Sequence, residues 1–334
     1  MDPLHPQVAL GGGRTLPLLA PCVHYAGNEK FLQKALLLQQ ERGPVFDIAA
    51  DCEDGAPMGG EREHAEMIAR TIGSAHNVHS RVGARTHGVR HAAWREELDI
   101  LLRDAGERIA FLTVPKSESV GEVVQYLDAV AMIVAHTGIG REIPVSVLVE
   151  TPGAVHDAWA IAALPGIVSL DFGTLDFVSS HHGAVPFAAM RSPGQFDHAL
   201  MRRAKAETAA AALAHGIVPT HGICQGVDDD DEVYGDARRA RDEFGFLRMW
   251  SIHPNQIGPI VFAMQPDHDA IVEATAVLIA GRAAHWAPTA RMGRMHDRAS
   301  YRYFWNVLQR AHAAGAPLPV DAQALFTSPQ RQAS

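Results

Sequence analysis

The sequence predicts an α/β protein: a single (β/α)8 or TIM barrel with a C-terminal helical extension. Three observations predict it: eight short apolar runs rich in β-branched residues, helical stretches between them, and charged residues directly after the runs. The expected strands are Leu16 to Val23, Val45 to Ala50, Asn77 to Val82, Ile109 to Val114, Ile143 to Val149, Ile167 to Phe172, Ile217 to Ile223 and Arg248 to Ile252. Apolar positions at helical spacing fill Glu29 to Gln40, Ala92 to Arg103, Ser119 to Ala135, Gln195 to Ala214 and Asp230 to Glu243. A doubly wound open sheet would carry a GxGxxG turn after its first strand, whereas Gly11, Gly12 and Gly13 precede it. The barrel is expected to occupy 1–285. From 286 to 334 the chain becomes aromatic and basic, with Trp286, Tyr301, Tyr303, Phe304 and Trp305 close together. That part is read as a closing helix, a lid or a subunit contact.

Composition narrows the function. The 334 residues are 47% hydrophobic and 20% charged, which suits a chain that buries a core and stays in solution. A net charge of −9 without any basic cluster excludes a nucleic-acid surface and favours small-molecule chemistry. Cys22, Cys52 and Cys224 form no CxxC pair, and an odd count fits reduced thiols. No apolar run reaches the roughly 20 residues of a membrane helix, and the first residues lack a signal pattern. A cytoplasmic protein is expected.

Barrels gather their reacting groups just beyond the strand C-termini. The residues so placed are Asp51, Glu53 and Asp54 after the second run, Arg81 and Arg85 after the third, and Lys116 after the fourth. Glu150 follows the fifth, Asp171 and Asp176 the sixth, Cys224 and Asp228 the seventh, and His253 the eighth. Glu150 ends an apolar run, where an unpaired carboxylate would be costly. Two readings stand: Glu150 and Asp176 hold a hard cation such as Mg2+, or Glu150 pairs with Lys116 or Arg81 inside the barrel. Arg81 could grip a carboxylate or a developing enolate oxygen, and equally could pair with Glu53 or Asp51. Lys116, after the stiff Val114-Pro115 exit, could orient carboxylates or, as the lesser reading, form a Schiff base. His253 reads as structural, the acids Asp228 to Glu232 as a solvated helix start, and the His181-His182 pair fits no zinc spacing.

An ordered set of motifs carries a resemblance. Ala26-Gly27-Asn28, Asp51-Cys52-Glu53-Asp54, Arg81-Val82, Pro115-Lys116-Ser117-Glu118-Ser119, Val149-Glu150-Thr151, Gly173-Thr174-Leu175-Asp176 and Ile252-His253-Pro254-Asn255-Gln256 together resemble the citrate lyase β-subunit-like proteins of the HpcH/HpaI aldolase/citrate lyase family. The resemblance covers about residues 14–300. It implies a Mg2+-dependent carbon–carbon lyase that cleaves or forms a 3-hydroxyacyl thioester, of the acyl-CoA type, through a 2-oxo acid such as oxaloacetate or glyoxylate. It implies Glu150 and Asp176 as metal ligands, Arg81 and Glu53 as catalytic groups, and Arg81, Lys116, Gly173 and Thr174 on the substrate. It also implies a homo-oligomer, trimer or hexamer, in which Asp297 of the segment Gly293-Arg294-Met295-His296-Asp297-Arg298 reaches a neighbour's site as acid or base. A surface aspartate in a basic stretch is the plain alternative. The chain departs from the pattern at Gly83, where Asn is usual, and at Cys22 to Gly27, where Phe-Val-Pro-Gly is usual. It also reads Glu53-Asp54 where the free-acid aldolases carry Glu-His. A metal-dependent aldolase on free 2-oxo acids and a non-catalytic 2-oxo-acid-binding barrel are the competing functions.

Overall fold

A computed structural model describes residues 4–10 and 16–326. Eight parallel strands close into a barrel in sequence order: β1 Cys22–Ala26, β2 Phe46–Asp51, β3 Val82–Arg85, β4 Leu112–Val114, β5 Val145–Val149, β6 Ile167–Phe172, β7 Val218–His221 and β8 Arg248–Ser251. Strand β8 pairs with β1 to complete the ring. Almost every strand residue is buried, because helices cover the outer face and side chains fill the inner one. Val23, Ala49, Phe111, Leu148 and Trp250 form a separate buried cluster drawn from around the ring, which is the barrel interior. The outward residues join the larger core under the helices.

The helices start where capping chemistry allows. Asn28 Oδ1 accepts the Phe31 N–H at 2.9 Å and opens helix Glu29–Arg42. Ser119 caps Val120–Thr137, and Thr151 with Pro152 at the first position caps Pro152–Ala162. Asp229 accepts from the Asp231 and Glu232 N–H groups and opens Asp230–Phe244, so the acidic run is a helix start.

Two strands lie elsewhere than the apolar runs suggested. Strand β1 begins at Cys22, after an irregular approach from Leu16. Strand β3 is Val82–Arg85, so the run expected at Asn77 to Val82 is mostly turn. Buried Asn77 causes this: its amide donates to the Ile72 carbonyl at 3.0 Å, its Oδ1 accepts the Arg81 N–H, and Ser80 turns the chain at φ 51°. Arg81 therefore precedes β3 at the barrel's N-terminal mouth, and Arg85 ends it at the C-terminal mouth.

The chain forms two compact units. One is Leu16–Met264, the barrel with its helices; the other holds residues 4–10 and 265–326. In the second, helices His268–Ala283 and Arg298–Ala313 pack around Ile271, Leu278, Trp286, Tyr301 and Leu308. A Cβ on Gly281 would lie 2.8 Å from the Tyr301 ring, so His268–Ala283 belongs to this unit and the division falls at 264/265, earlier than 285/286. Between the helices, Thr289–Arg291 and Arg294–His296 form an antiparallel hairpin. Its turn, Met292 at φ 49° and Gly293 at φ 73°, has the left-handed pair that two-residue hairpins favour. Gly293 is thus a turn residue in a hairpin that the sequence did not announce. Gly11, Gly12, Gly13 and the tail from 327 lie outside the described residues. No described helix is long and apolar enough to cross a membrane. All three cysteines are free and buried.

Candidate active site at the C-terminal mouth

The site is built on neighbouring strand ends. Register pairs Asp51 of β2 with Arg85 of β3, and the side chains meet as a bidentate pair, Nε to Oδ1 at 2.7 Å and Nη2 to Oδ2 at 2.6 Å. Arg85 Nη1 also lies 3.0 Å from Glu53 Oε2. Burial works against the guanidinium charge, but Asp51, Tyr25 and Glu53 more than offset it, and Arg85 stays protonated. Its plane is backed by Tyr25, whose ring centre is 4.9 Å away, and Tyr25 stacks on Trp250 at 3.5 Å. Trp250 in turn donates to Asp171 Oδ2 at 2.9 Å. Burial pushes the Asp171 carboxyl up, and the Ser169 hydroxyl also donates to it. The Tyr25 hydroxyl is buried without a partner among the described residues and is held well above the usual phenol range by desolvation.

Glu150 follows β5 and is 2% exposed. One carboxylate oxygen accepts the Lys116 backbone N–H at 2.7 Å; the other sits against Gly173, where a Cβ would come within 2.2 Å. Gly173 is thus the gap that admits Glu150. Desolvation first, and the Asp176 charge second, push Glu150 up to about 8. Asp176 lies in the first turn of the short helix Thr174–Ser179 after β6. Buried Thr174 has an Oγ1 with no partner among the described residues.

Lys116 ties the acids together. Its backbone is in the left-handed region at φ 51°, rare for a long side chain. Its ammonium contacts Glu53, lies 2.8 Å from Asp54 and 3.6 Å from Asp176. Burial opposes that charge, but hydrogen bonds from Asp54 and Glu53 raise its pKa. Burial also pushes Glu53 up. Five carboxylates, Asp51, Glu53, Asp54, Glu150 and Asp176, thus face two cations, Arg85 and Lys116, at one mouth. An all-oxygen set with surplus negative charge and a carboxyl pushed up by burial and by a neighbouring carboxylate fits a hard divalent cation.

The structure therefore brings together Glu53, Lys116, Glu150, Gly173, Thr174 and Asp176. It does not bring Arg81, which donates to Asp47 Oδ1 at 2.9 Å at the opposite mouth. Arg85 takes the place expected of Arg81, and with Tyr25 and Trp250 it is what the sequence reading missed. The available signal was the repeat Asp47/Asp51 against Arg81/Arg85: equal spacings on adjacent strands give two stacked pairs, one at each mouth. Glu150 pairs with neither Lys116's ammonium nor Arg81, so the interior salt-bridge reading of it does not hold. His253 accepts the Asn255 N–H at 3.3 Å at a helix start, a structural role. Cys224 clusters with Glu232 and Asp236. Asp297 caps helix Arg298–Ala313, accepting from the Ala299 and Ser300 N–H groups, which draw its carboxyl below the usual range.

Comparison with known proteins agrees with this architecture. Residues 47–254 match the family model described as HpcH/HpaI aldolase/citrate lyase. An L-malyl-CoA/β-methylmalyl-CoA lyase from Rhodobacter capsulatus is 27% identical over 258 residues, covering 73% of this chain and 81% of the relative. A citrate lyase crystal structure from Burkholderia xenovorans LB400 is 50% identical with a TM-score of 0.86, covering 92% and 97%. The Mycobacterium tuberculosis protein CitE, solved with magnesium, acetoacetate and coenzyme A, shares the fold at 21% identity with a TM-score of 0.68, covering 88% of this chain and 98% of that one. A closed parallel barrel with its acids at the C-terminal mouth, matched by that family model over most of its length, makes this chain a carbon–carbon lyase of the HpcH/HpaI aldolase/citrate lyase family.

Proposed function

We propose that the chain is a Mg2+-dependent lyase that cleaves or forms the carbon–carbon bond between a CoA-type thioester and a 2-oxo acid. The observation that carries this reading is the buried Glu150 beside Asp176, with Arg85 fixed at the same mouth. Glu150 and Asp176 would hold the cation, which when bound polarises a 2-oxo carbonyl as a Lewis acid. Arg85 donates two of its five N–H groups to Asp51 and pairs with Glu53 by charge, which leaves donors for a substrate carboxylate or enolate oxygen. Lys116 keeps Glu53, Asp54 and Asp176 from repelling an anionic substrate. The Tyr25–Trp250 stack fixes the plane of Arg85.

In the cleavage direction the substrate hydroxyl loses its proton to a carboxylate of the site, for which Glu53 is the proposed acceptor, as the carbon–carbon bond breaks. The electron pair stays with the thioester as an enolate, whose α-carbon then takes up a proton. Asp297, supplied by a second copy of the chain, is the group proposed to carry that proton, as acid in cleavage and as base in synthesis. The relatives' malyl-CoA lyase activity supports a thioester substrate. The test is Mg2+-dependent release of a 2-oxo acid from malyl-CoA, β-methylmalyl-CoA and citryl-CoA, abolished by a chelator. Turnover of free 4-hydroxy-2-oxo acids with none of any thioester would replace this reading with the aldolase one.

A further inference from the structure

A cleft of about 420 Å3 opens at the N-terminal mouth, on the far side of the barrel from the acids. Its floor is apolar, formed by Leu19, Ile109, Ala110 and Phe111, and its rim carries Arg81, Arg108 and Arg141. That volume and lining are those of a small-molecule pocket. The charge is unusual for this chain. Arg81 shares the single carboxylate of Asp47 with buried Arg248, whose guanidinium lies over the Phe111 ring. Among the described residues Arg108 donates only to carbonyls, of Gly73, Ser74 and Asn77, and Arg141 to those of Gly106, Ile109 and Glu142. Carbonyls satisfy donors without neutralising charge. Glu107 is the remaining acid in the lining. In the lining itself three guanidinium groups thus meet two carboxylates, one of which, Asp47, is also shared with Arg248, on a protein whose net charge is −9. Nε of Arg141 and Nε of Arg248 are also buried with no acceptor among the described residues. A buried donor left without an acceptor is unfavourable, and an anion entering the cleft would supply one to Arg141.

We infer that this cleft binds a small organic anion, a carboxylate or phosphate head on a compact apolar body, at a site separate from the lyase centre. The head pairs with the surplus arginine charge, and the body lies on Phe111 and Ile109. The test titrates malonate and inorganic phosphate separately into the Glu150→Ala protein without divalent cation, which removes the metal-held site at the other mouth. Saturable binding is expected for at least one probe, and whichever binds more tightly identifies the head group. Arg141→Gln should weaken it at least tenfold. Ser80→Asp should do the same by placing a negative charge on the rim; it disturbs no arginine contact, and aspartate tolerates the left-handed backbone there. Should Arg141→Gln fail to fold, Ser80→Asp decides alone. Absence of saturable binding by both probes, or unchanged affinity in Ser80→Asp, overturns the inference.

Discussion

Arg81 and Arg85 lie four residues apart, about 13 Å along a strand, and that distance separates the two mouths of the barrel. The sequence offered both arginines, but the run Asn77 to Val82 looked more strand-like than Val82-Gly83-Ala84-Arg85. Of its two β-branched residues Val78 belongs to a turn and Val82 opens the strand, and position 83 in the strand is glycine because a Cβ there would strike Phe111 at 2.6 Å. The buried Asn77 turn sets where β3 starts and the interior volume beside Phe111 admits its glycine, and a single sequence displays neither. Arg85→Lys should lower kcat/KM by about 10- to 100-fold, since the charged hydrogen bonds it loses are worth about 1.5–3 kcal/mol. The matching Arg81→Lys should cost at least tenfold less, and equal losses would return Arg81 to the mechanism. Glu150 was legible as an acid ending an apolar run, but its protonation was not. Its folded pKa, about 8, lies above the ordinary 4.5, so without a divalent cation the folded state holds a proton that the unfolded state has lost. Its contribution to stability is therefore full below about pH 4.5 and is lost as pH rises to about 8. The difference in unfolding free energy between Glu150→Gln and wild type should move in favour of the variant across that window, and a flat difference would remove the assigned shift. Added Mg2+ should reverse the trend in wild type alone.

At the scale of elements, each strand–loop–helix unit delivers one or two functional groups, and the loops that deliver them are tight. The connection from β6 to helix Thr174–Ser179 is a single glycine, Gly173, pressed onto the Glu150 carboxylate. Gly173→Ala should move Glu150 or the loop, at a cost of about 1–3 kcal/mol in stability, and should weaken Mg2+ affinity at least tenfold by calorimetry. Wild-type affinity in that variant would mean Glu150 has room to retreat and is not held for the metal. Most elements could be read from the sequence because capping and periodicity are local: Asn28, Ser119, Thr151 and Asp229 each announce a helix that forms. The hairpin Thr289–Arg291 with Arg294–His296 could not, since three-residue strands rich in arginine carry no alternation to detect.

For the whole molecule, the division of labour between two units raises the question of where a complete site resides. If Asp297 serves a second copy's barrel, mixing inactive Asp297→Asn with inactive Glu150→Ala protein should restore part of the activity once subunits have exchanged. Verified exchange with no recovery would remove Asp297 from the shared mechanism and leave it as a helix cap. The barrel was legible because its eightfold alternation is a global pattern, and so was a helical extension after 286; that residues 4–10 and 265–285 join that extension was not, because the unit is assembled from distant stretches. Trp305 Nε1 donates to the Gln7 side chain at 3.1 Å and Trp286 Nε1 to the Leu4 carbonyl at 3.2 Å, so residues 4–10 are part of a body completed only after position 300. On a ribosome adding about 5–20 residues per second, that early segment waits tens of seconds, roughly, for its partners while the intervening barrel emerges and folds. The smaller unit is thus the last part of the newborn chain to close.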